Sequence, residues 1–253
     1  MAGASGRMGR AVIALVQTRD DLVLGTTFGR VAATTAAASG QVLPANKPEF
    51  ASCDVIVDFT EASASCALAS ACAARGGPPL IIGATGFSPQ EDAAIRAAAT
   101  RIAIVKSGNF SLGVNLLAGL VEQAARRLAA ADWDIEIFEA HHRRKADAPS
   151  GTALLLGEAA ARGRATQLGA PQGRIPGHTR KEGEIGFSVL RGGGIIGEHS
   201  VVFAAEDEIL TLSHSARDRA LFARGALQAA IWAMGREPGL YDMMDVLGIR
   251  DRP

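Results

Sequence analysis

The chain has 253 residues, 48% of them hydrophobic, enough to bury a large core in one big domain or two modest ones. With 26 basic against 26 acidic side chains it has no global basic field for nucleic acid, and aromatic residues, at 5%, are too few to stack bases along a surface. Any anion must therefore be met locally. The three cysteines, Cys53, Cys66 and Cys72, fit neither a metal motif nor a disulfide framework, so a reducing, cytosolic setting is expected. MAGASGRMGR does not read as a signal peptide, and no apolar run is long enough to span a bilayer.

In chain order, a glycine loop, GASGRMG, with Gly3, Gly6 and Gly9, opens a helical pattern, GRMGRAVIALVQ. Its spacing is G-x-x-G-x-x-G where the commoner dinucleotide fingerprint is G-x-G-x-x-G, so the motif suits either a pyrophosphate site or a plain helix-opening turn. Short β-rich runs then alternate with alanine-rich helical runs: DLVLGTTF at 21–28, DVIVDFT at 54–60, PLIIGATG at 79–86 and RIAIVKS at 101–107. Alternation with strands apolar on both faces predicts a parallel sheet covered by helices. The segment 31–50 reads as a loop. The run TTFGR offers Gly29 and Arg30 where an acidic residue would bind the ribose of NAD, which favours NADPH. The strand ends DFTEAS, GATGFS and SGNFS carry small or hydroxylated residues where such a sheet binds ligands.

From about residue 111 the pattern changes. A long helix, LGVNLLAGLVEQAARRLA, leads to the strand DWDIEIFEA, and the runs GEIGFSVLRG, GIIGEHSVVFAA and EILTLSHS follow so closely that antiparallel pairing is expected. The tail RDRALFARGALQAAIWAMG is one more helix. The prediction is an α/β chain: a Rossmann-like nucleotide-binding domain over 1–109 with 218–253, and an inserted α+β domain with a mixed or antiparallel sheet over 110–217.

The densest chemistry lies in EAHHRRKADAPSGT, residues 139–152. If the strand ends near Ala140, His141 to Lys145 form a cationic loop at its mouth, and Ser150 N-caps a helix through Thr152. Backbone N–H groups at Gly151 and Thr152, with the Ser150 and Thr152 hydroxyls, can then hold a carboxylate, while two imidazoles exchange protons near neutral pH. A small polycarboxylate receiving a hydride and a proton would use all of these parts. The other readings are a solvated charge run, an RNA patch, for which flanking aromatics are lacking, and a metal site, for which no cysteine or spaced carboxylate completes the ligands.

The segment from Glu139 to Ala153 resembles the signature E-A-H-H-R-x-K-x-D-x-P-S-G-T-A of the dihydrodipicolinate reductases of bacterial and plant lysine biosynthesis. GASGRMGR, DVIVDFT, GATGF, SGNFSLGVN, IGFSVLRGGGIIGEH and GLYDMMDVLG resemble the same family in the same order. The resemblance implies a nucleotide-binding domain, a central substrate and tetramerisation domain, and NADPH or NADH as reductant. It implies that His141 is the acid-base group and Lys145 the second proton donor, with His142, Gly151 and Thr152 as substrate ligands and Ser150 beside them. Gly3, Ala4, Ser5, Gly6, Arg7 and Met8, the turn Gly83, Ala84 and Thr85, and Ser107, Gly108, Asn109 and Phe110 are implied cofactor contacts, with Arg30 on the ribose side. The implied reaction takes 4-hydroxy-tetrahydrodipicolinate to (S)-2,3,4,5-tetrahydrodipicolinate with loss of water, in a cytosolic homotetramer. The rival readings are another NADP-dependent reductase of a small dicarboxylate and a non-catalytic NADP(H)-binding sensor. Only Met1 and Ala2 precede the glycine loop where this fold has an apolar strand, so a native start five to eight residues earlier is expected.

Overall fold

The computed structural model describes residues 1–29, 42–43, 53–170 and 179–250, and Arg30 and most of the 31–50 loop fall outside them. In chain order the elements are α1 (Arg7–Val16), β1 (Thr27–Phe28), β2 (Val42–Leu43), β3 (Ile56–Asp58), α2 (Ala62–Arg75), β4 (Leu80–Ile82), α3 (Pro89–Ala99) and β5 (Ala103–Lys106). They continue with α4 (Leu112–Arg127), β6 (Asp134–His141), α5 (Gly151–Gly163), β7 (Ile185–Arg191), β8 (Glu198–Ala204), β9 (Ile209–Ser215), α6 (Ala220–Ala233), β10 (Gly239–Tyr241) and α7 (Met243–Val246). Two compact units result, Met1–Leu112 with Ala220–Pro253, and Gly113–Arg219.

The first unit is built on parallel strands in the order β10-β5-β4-β3. Alternate residues of these strands feed two cores. Val57, Ile81 and Val105 pack with Val12 and Val16 of α1 and Ala226 and Ala230 of α6, while Ile56, Leu80, Ile82 and Ile104 pack with Ala69 and Cys72 of α2 and Ile95 of α3. Each such aliphatic side chain contributes about 1.5–3 kcal/mol when fully buried, so helices on both faces stabilise strands of only three or four residues. Between β3 and β1 the sheet narrows to one residue. Ala2 bridges Phe28 on one side and Asp58 on the other, both in parallel sense. Its N–H donates to Val57 O at 2.8 Å and its carbonyl accepts from Phe59 N at 3.2 Å, while Phe28 N donates to Met1 O at 2.8 Å. A trough of about 360 Å³ is lined by Met1, Leu22, Leu24, Val55, Leu227 and Ile231 among others. The expected strand 21–28 shortens accordingly: only Thr27–Phe28, which have Ala2 and β2 beside them, form a ladder.

The second unit carries a mixed sheet ordered β7-β6-β8-β9. The expected pairing of GEIGFSVLRG with GIIGEHSVVFAA does not occur. β6 lies between them, parallel to β7 and antiparallel to β8, because α5 crosses over to bring β7 alongside β6. β8 and β9 pair antiparallel as expected. The register divides the side chains: Ile135, Ile137, Glu139 and His141 share one face with Phe187, Val201 and Phe203, and α5 packs against β6, β7 and β8 there. Phe138, Leu190, Val202 and Ile209 share the other face, where Phe138, Leu190 and Ile209 are exposed.

Candidate active site

In the first unit, the glycine loop touches the turn after β3. Gly3 has a φ of 75°, and a Cβ there would stand 2.7 Å from Phe59 O, so only glycine permits the approach. A Cβ on Gly9 would lie 2.1 Å from Gly3 O, which lets α1 close onto the loop. The buried Asp58 carboxylate fixes the facing turn by accepting from Thr60 N at 2.8 Å, Thr60 Oγ1 at 2.6 Å and Ser65 Oγ at 2.6 Å. Between loop and turn lies a cavity of about 370 Å³ lined by Gly3, Ser5, Gly6, Gly29, Thr60 and Glu61, with Phe28 and Leu68 as apolar wall. Gly6 caps α1 with no side-chain bond, so the first-turn N–H groups point out of the helix end as donors for an anion. A glycine cradle, a helix N-terminus and an apolar wall fit a dinucleotide.

The other expected cofactor residues divide. Arg7 is exposed at the start of α1, Ala4 is buried with its N–H on Phe28 O at 3.1 Å, and Met8 packs against the core. Gly83 follows β4 and donates its N–H to Asp58 O at 2.8 Å, Ala84 is buried, and Thr85 follows. After β5, Ser107 Oγ donates to Asn109 O and accepts from Asn109 N, which folds Ser107, Gly108 and Asn109 into a tight turn. Phe110 departs from expectation. Its ring is buried in an edge-on contact with Phe59, 5.7 Å between centroids, so it supports the fold and has no open face for a ligand.

In the second unit, β6 runs one residue further than expected and ends on His141, which is largely buried, and the loop begins at His142. His141 Nδ1 lies 2.6 Å from Oε2 of Glu139, two residues earlier on the same face. Glu139 is wholly buried and accepts three more bonds: from Arg191 Nη1 and Nη2, each at 2.7 Å, and from Ser150 N at 2.9 Å. Burial works against its charge, but the bonds from Arg191, His141 and Ser150 outweigh it and hold the carboxyl below the usual range. Arg191 stands opposite His141 on β7, and His199 opposite Glu139 on β8. The His199 ring meets the His141 ring edge-on, 5.1 Å between centroids, and burial, then the neighbouring His141, push its pKa down to about 4.

Ser150 N-caps α5 as expected, its Oγ accepting from Ala153 N at 3.2 Å. That hydroxyl is buried and also 3.0 Å from His199 Nε2, and its N–H is on Glu139, so the protein holds Ser150 in one place at the mouth of α5. The exposed N-terminal end of α5 belongs to Gly151, where a Cβ would meet nothing within 4 Å, and to half-buried Thr152. Lys145 is held by Asp147, with Nζ 2.7 and 2.9 Å from the two carboxylate oxygens. His142 Nε2 lies 3.3 Å from Arg219 Nη2, and partial burial, Arg144 and Arg219 push its pKa down. The residues that sequence reasoning left without a role are Glu139, Arg191, His199 and Asp147. An acid in the inward register of an apolar strand was a readable signal for Glu139, whereas Arg191 and His199 arrive through strand pairing.

Similarity to known proteins agrees with this arrangement. The family model described as dihydrodipicolinate reductase, N-terminus, matches residues 1–110, and the one described as dihydrodipicolinate reductase, C-terminus, matches residues 113–247. The 4-hydroxy-tetrahydrodipicolinate reductase of Caulobacter vibrioides is 59% identical over 99% of this chain and 96% of its own, and that of Rhizobium rhizogenes is 51% identical over the same shares. Among solved structures, a dipicolinate-bound dihydrodipicolinate reductase from Paenisporosarcina sp. TG-14 superposes with a TM-score of 0.77 at 22% identity, over 96% of each chain, a likeness of fold. With both halves matched by one family's models and relatives identical at half or more of their positions, the chain belongs to the dihydrodipicolinate reductase family.

Proposed function

We propose that this oxidoreductase reduces 4-hydroxy-tetrahydrodipicolinate to (S)-2,3,4,5-tetrahydrodipicolinate with loss of water, using NAD(P)H, in the diaminopimelate route to lysine. The observation that carries the reading is the inward face of β6, where a carboxylate-held imidazole, His141, stands beside the Lys145 loop and the N-terminus of α5. N–H groups at Gly151 and Thr152, the Thr152 hydroxyl, the His142 imidazole and the Lys145 ammonium suit the two carboxylates of the substrate. Bound at the glycine loop, NAD(P)H would supply a hydride. The ring carbon made electron-rich by reduction needs a proton, and His141, or Lys145, supplies it as general acid. The rival sensor reading accounts for the glycine loop but leaves a wholly buried, four-bonded Glu139 at His141 without a purpose.

NADPH and NADH are both within the proposal, with NADPH ahead, because Gly29 supplies no carboxylate at the end of β1 and Arg30 follows it. Glu61 on the cavity wall is the opposing charge, since it would repel a 2′-phosphate. Arg30→Ala is expected to raise KM for NADPH more than for NADH, and Glu61→Gln to lower KM for NADPH selectively. Equal changes for both nucleotides would remove these residues from cofactor choice. The proposal includes a cytoplasmic homotetramer, supported by the exposed Phe138, Leu190 and Ile209 on the outer sheet face, and light scattering reads its mass. No described helix is long and apolar enough to cross a membrane. The deciding assay supplies pyruvate, aspartate semialdehyde and the condensing enzyme, then follows reduced-nicotinamide absorbance. Oxidation that requires all three supports the reaction, and none with either nucleotide overturns it.

A further inference from the structure

We infer that Glu139 and Arg191 are positioning residues that decide which nitrogen of His141 gives up a proton and over what pH range: Glu139 by holding Nδ1, Arg191 by holding Glu139. The inference rests on the reading of His141 as the proton donor. Glu139 takes four donors on two oxygens: His141 Nδ1 and Arg191 Nη1 on Oε2, Ser150 N and Arg191 Nη2 on Oε1. Four donors fill the acceptor sites of an ionised carboxylate, which has no proton of its own to give. The hydrogen in the 2.6 Å contact therefore belongs to Nδ1, and the exchangeable proton of His141 sits on Nε2.

In the transfer, the Nε2–H bond breaks and its electron pair stays on the ring. The proton forms the new C–H bond on the reduced substrate. The imidazole is left as the Nδ1–H tautomer with its bond to Glu139 intact, and solvent returns a proton to Nε2. The ring cannot readily turn to offer Nδ1, because His199 packs edge-on against it at 5.1 Å. On the Nε2 side stands Gly197, where a Cβ would lie 3.2 Å from that nitrogen. A hydrogen-only wall there keeps the donating nitrogen uncapped.

The groups facing His141 from each neighbouring element set the direction of the pH effect. They are Glu139 on β6, Arg191 on β7 and His199 on β8, with His142 and Lys145 on the loop, while α5 contributes the Ser150 N–H through Glu139. Among the described residues Glu139 is the one carboxylate hydrogen-bonded to the ring, and Arg191 holds that carboxylate on both of its oxygens.

Kinetic pH profiles of wild type, Glu139→Gln and Arg191→Met test the pair. Glu139→Gln is expected to move the limb on which kcat/KM depends on the protonated donor to lower pH, because the neutral amide removes the negative charge beside the ring. Arg191→Met should move it the opposite way, and KM at the pH optimum should change less than kcat in both. Rate losses without a shifted limb, or shifts in the same direction, would overturn the inference, since a merely structural role predicts one or the other. If either variant fails to fold, ¹⁵N histidine NMR of the wild type decides, with the His141 signals assigned by their loss in His141→Gln. Nδ1 should stay protonated throughout the titration while Nε2 loses its proton, and an Nε2–H neutral tautomer would overturn the inference. The NMR result does not depend on turnover. A fully active His141→Gln would instead overturn the reading of His141 as the donor.

Discussion

Glu139 and Asp147 each hold one of the two proposed proton donors, at 2.6 Å from His141 and 2.7 Å from Lys145. Their surroundings differ in every other respect. The Glu139 side chain is 0% exposed and bound by three residues, whereas the Asp147 side chain is 60% exposed and its only side-chain partner among the described residues is Lys145. In a dry setting, removing one member of a charge network leaves the others unpaired, at a cost of about 3–5 kcal/mol, while an exposed pair is screened and contributes about 0–1 kcal/mol. His141 is thus placed before any substrate arrives. Lys145 can let go of Asp147 with little loss, as its proposed role toward a substrate carboxylate requires.

The comparison can be broken or sharpened by four measurements. The largest effect is expected for His141→Gln, with kcat lower by about 10²–10³-fold and KM nearly unchanged. A rate within threefold of wild type would remove the buried arm from the mechanism. Next comes a stability effect confined to the buried arm. His199 is a base whose folded pKa is depressed to about 4, so below its unfolded value of 6.5 the unfolded chain takes up a proton that the folded one refuses. Its contribution is fully present above pH 6.5 and is lost as pH falls toward 4, by about 1.4 kcal/mol per unit, roughly 3.5 kcal/mol at most. Urea denaturation at pH 7 and pH 5 should show a smaller loss for His199→Gln than for wild type, and equal losses would count against the burial argument.

Lys145→Ala should lower kcat by roughly tenfold and raise KM as well, since the proposed roles have the ammonium both bind a carboxylate and stand by as a donor. A pure kcat effect would make it a second fixed acid, unlike the recruitable group described above. The smallest change is expected for Asp147→Asn, within about threefold in kcat and within about 1 kcal/mol in stability. If that variant proved as damaging as His141→Gln, the two arms would be equivalent and the contrast would fail.

Much of this arrangement was legible in the chain. Alternating apolar and alanine-rich runs revealed the parallel layered unit, because burial on both faces demands that composition. Pro149-Ser150-Gly151-Thr152 revealed the start of α5, because a cap is a local structure. What depended on distant pairing was not legible. The neighbour of the Ser150 hydroxyl, His199 at 3.0 Å, was not, because no local spacing connects the two. Two consecutive strand-like runs suggested a hairpin, yet β6 separates them, because a crossover helix outweighs sequence proximity. The run 21–28 has strand composition throughout, but a ladder also needs a neighbour, and composition does not provide one.

At the Ala2 seam the described residues join β1 to β3 by Ala2 N to Val57 O and Phe59 N to Ala2 O on one side, and Phe28 N to Met1 O and Ala4 N to Phe28 O on the other. Gly3 follows directly, so opening the seam and distorting the glycine loop are the same local event. A ligand that binds only the closed form suppresses local opening by mass action. The amides of Ala2, Ala4, Phe28 and Phe59 should therefore exchange with deuterium together, faster than those of β4 and β5. A saturating nucleotide should slow all four by a common factor, which would make this seam a reporter of cofactor occupancy that needs no turnover.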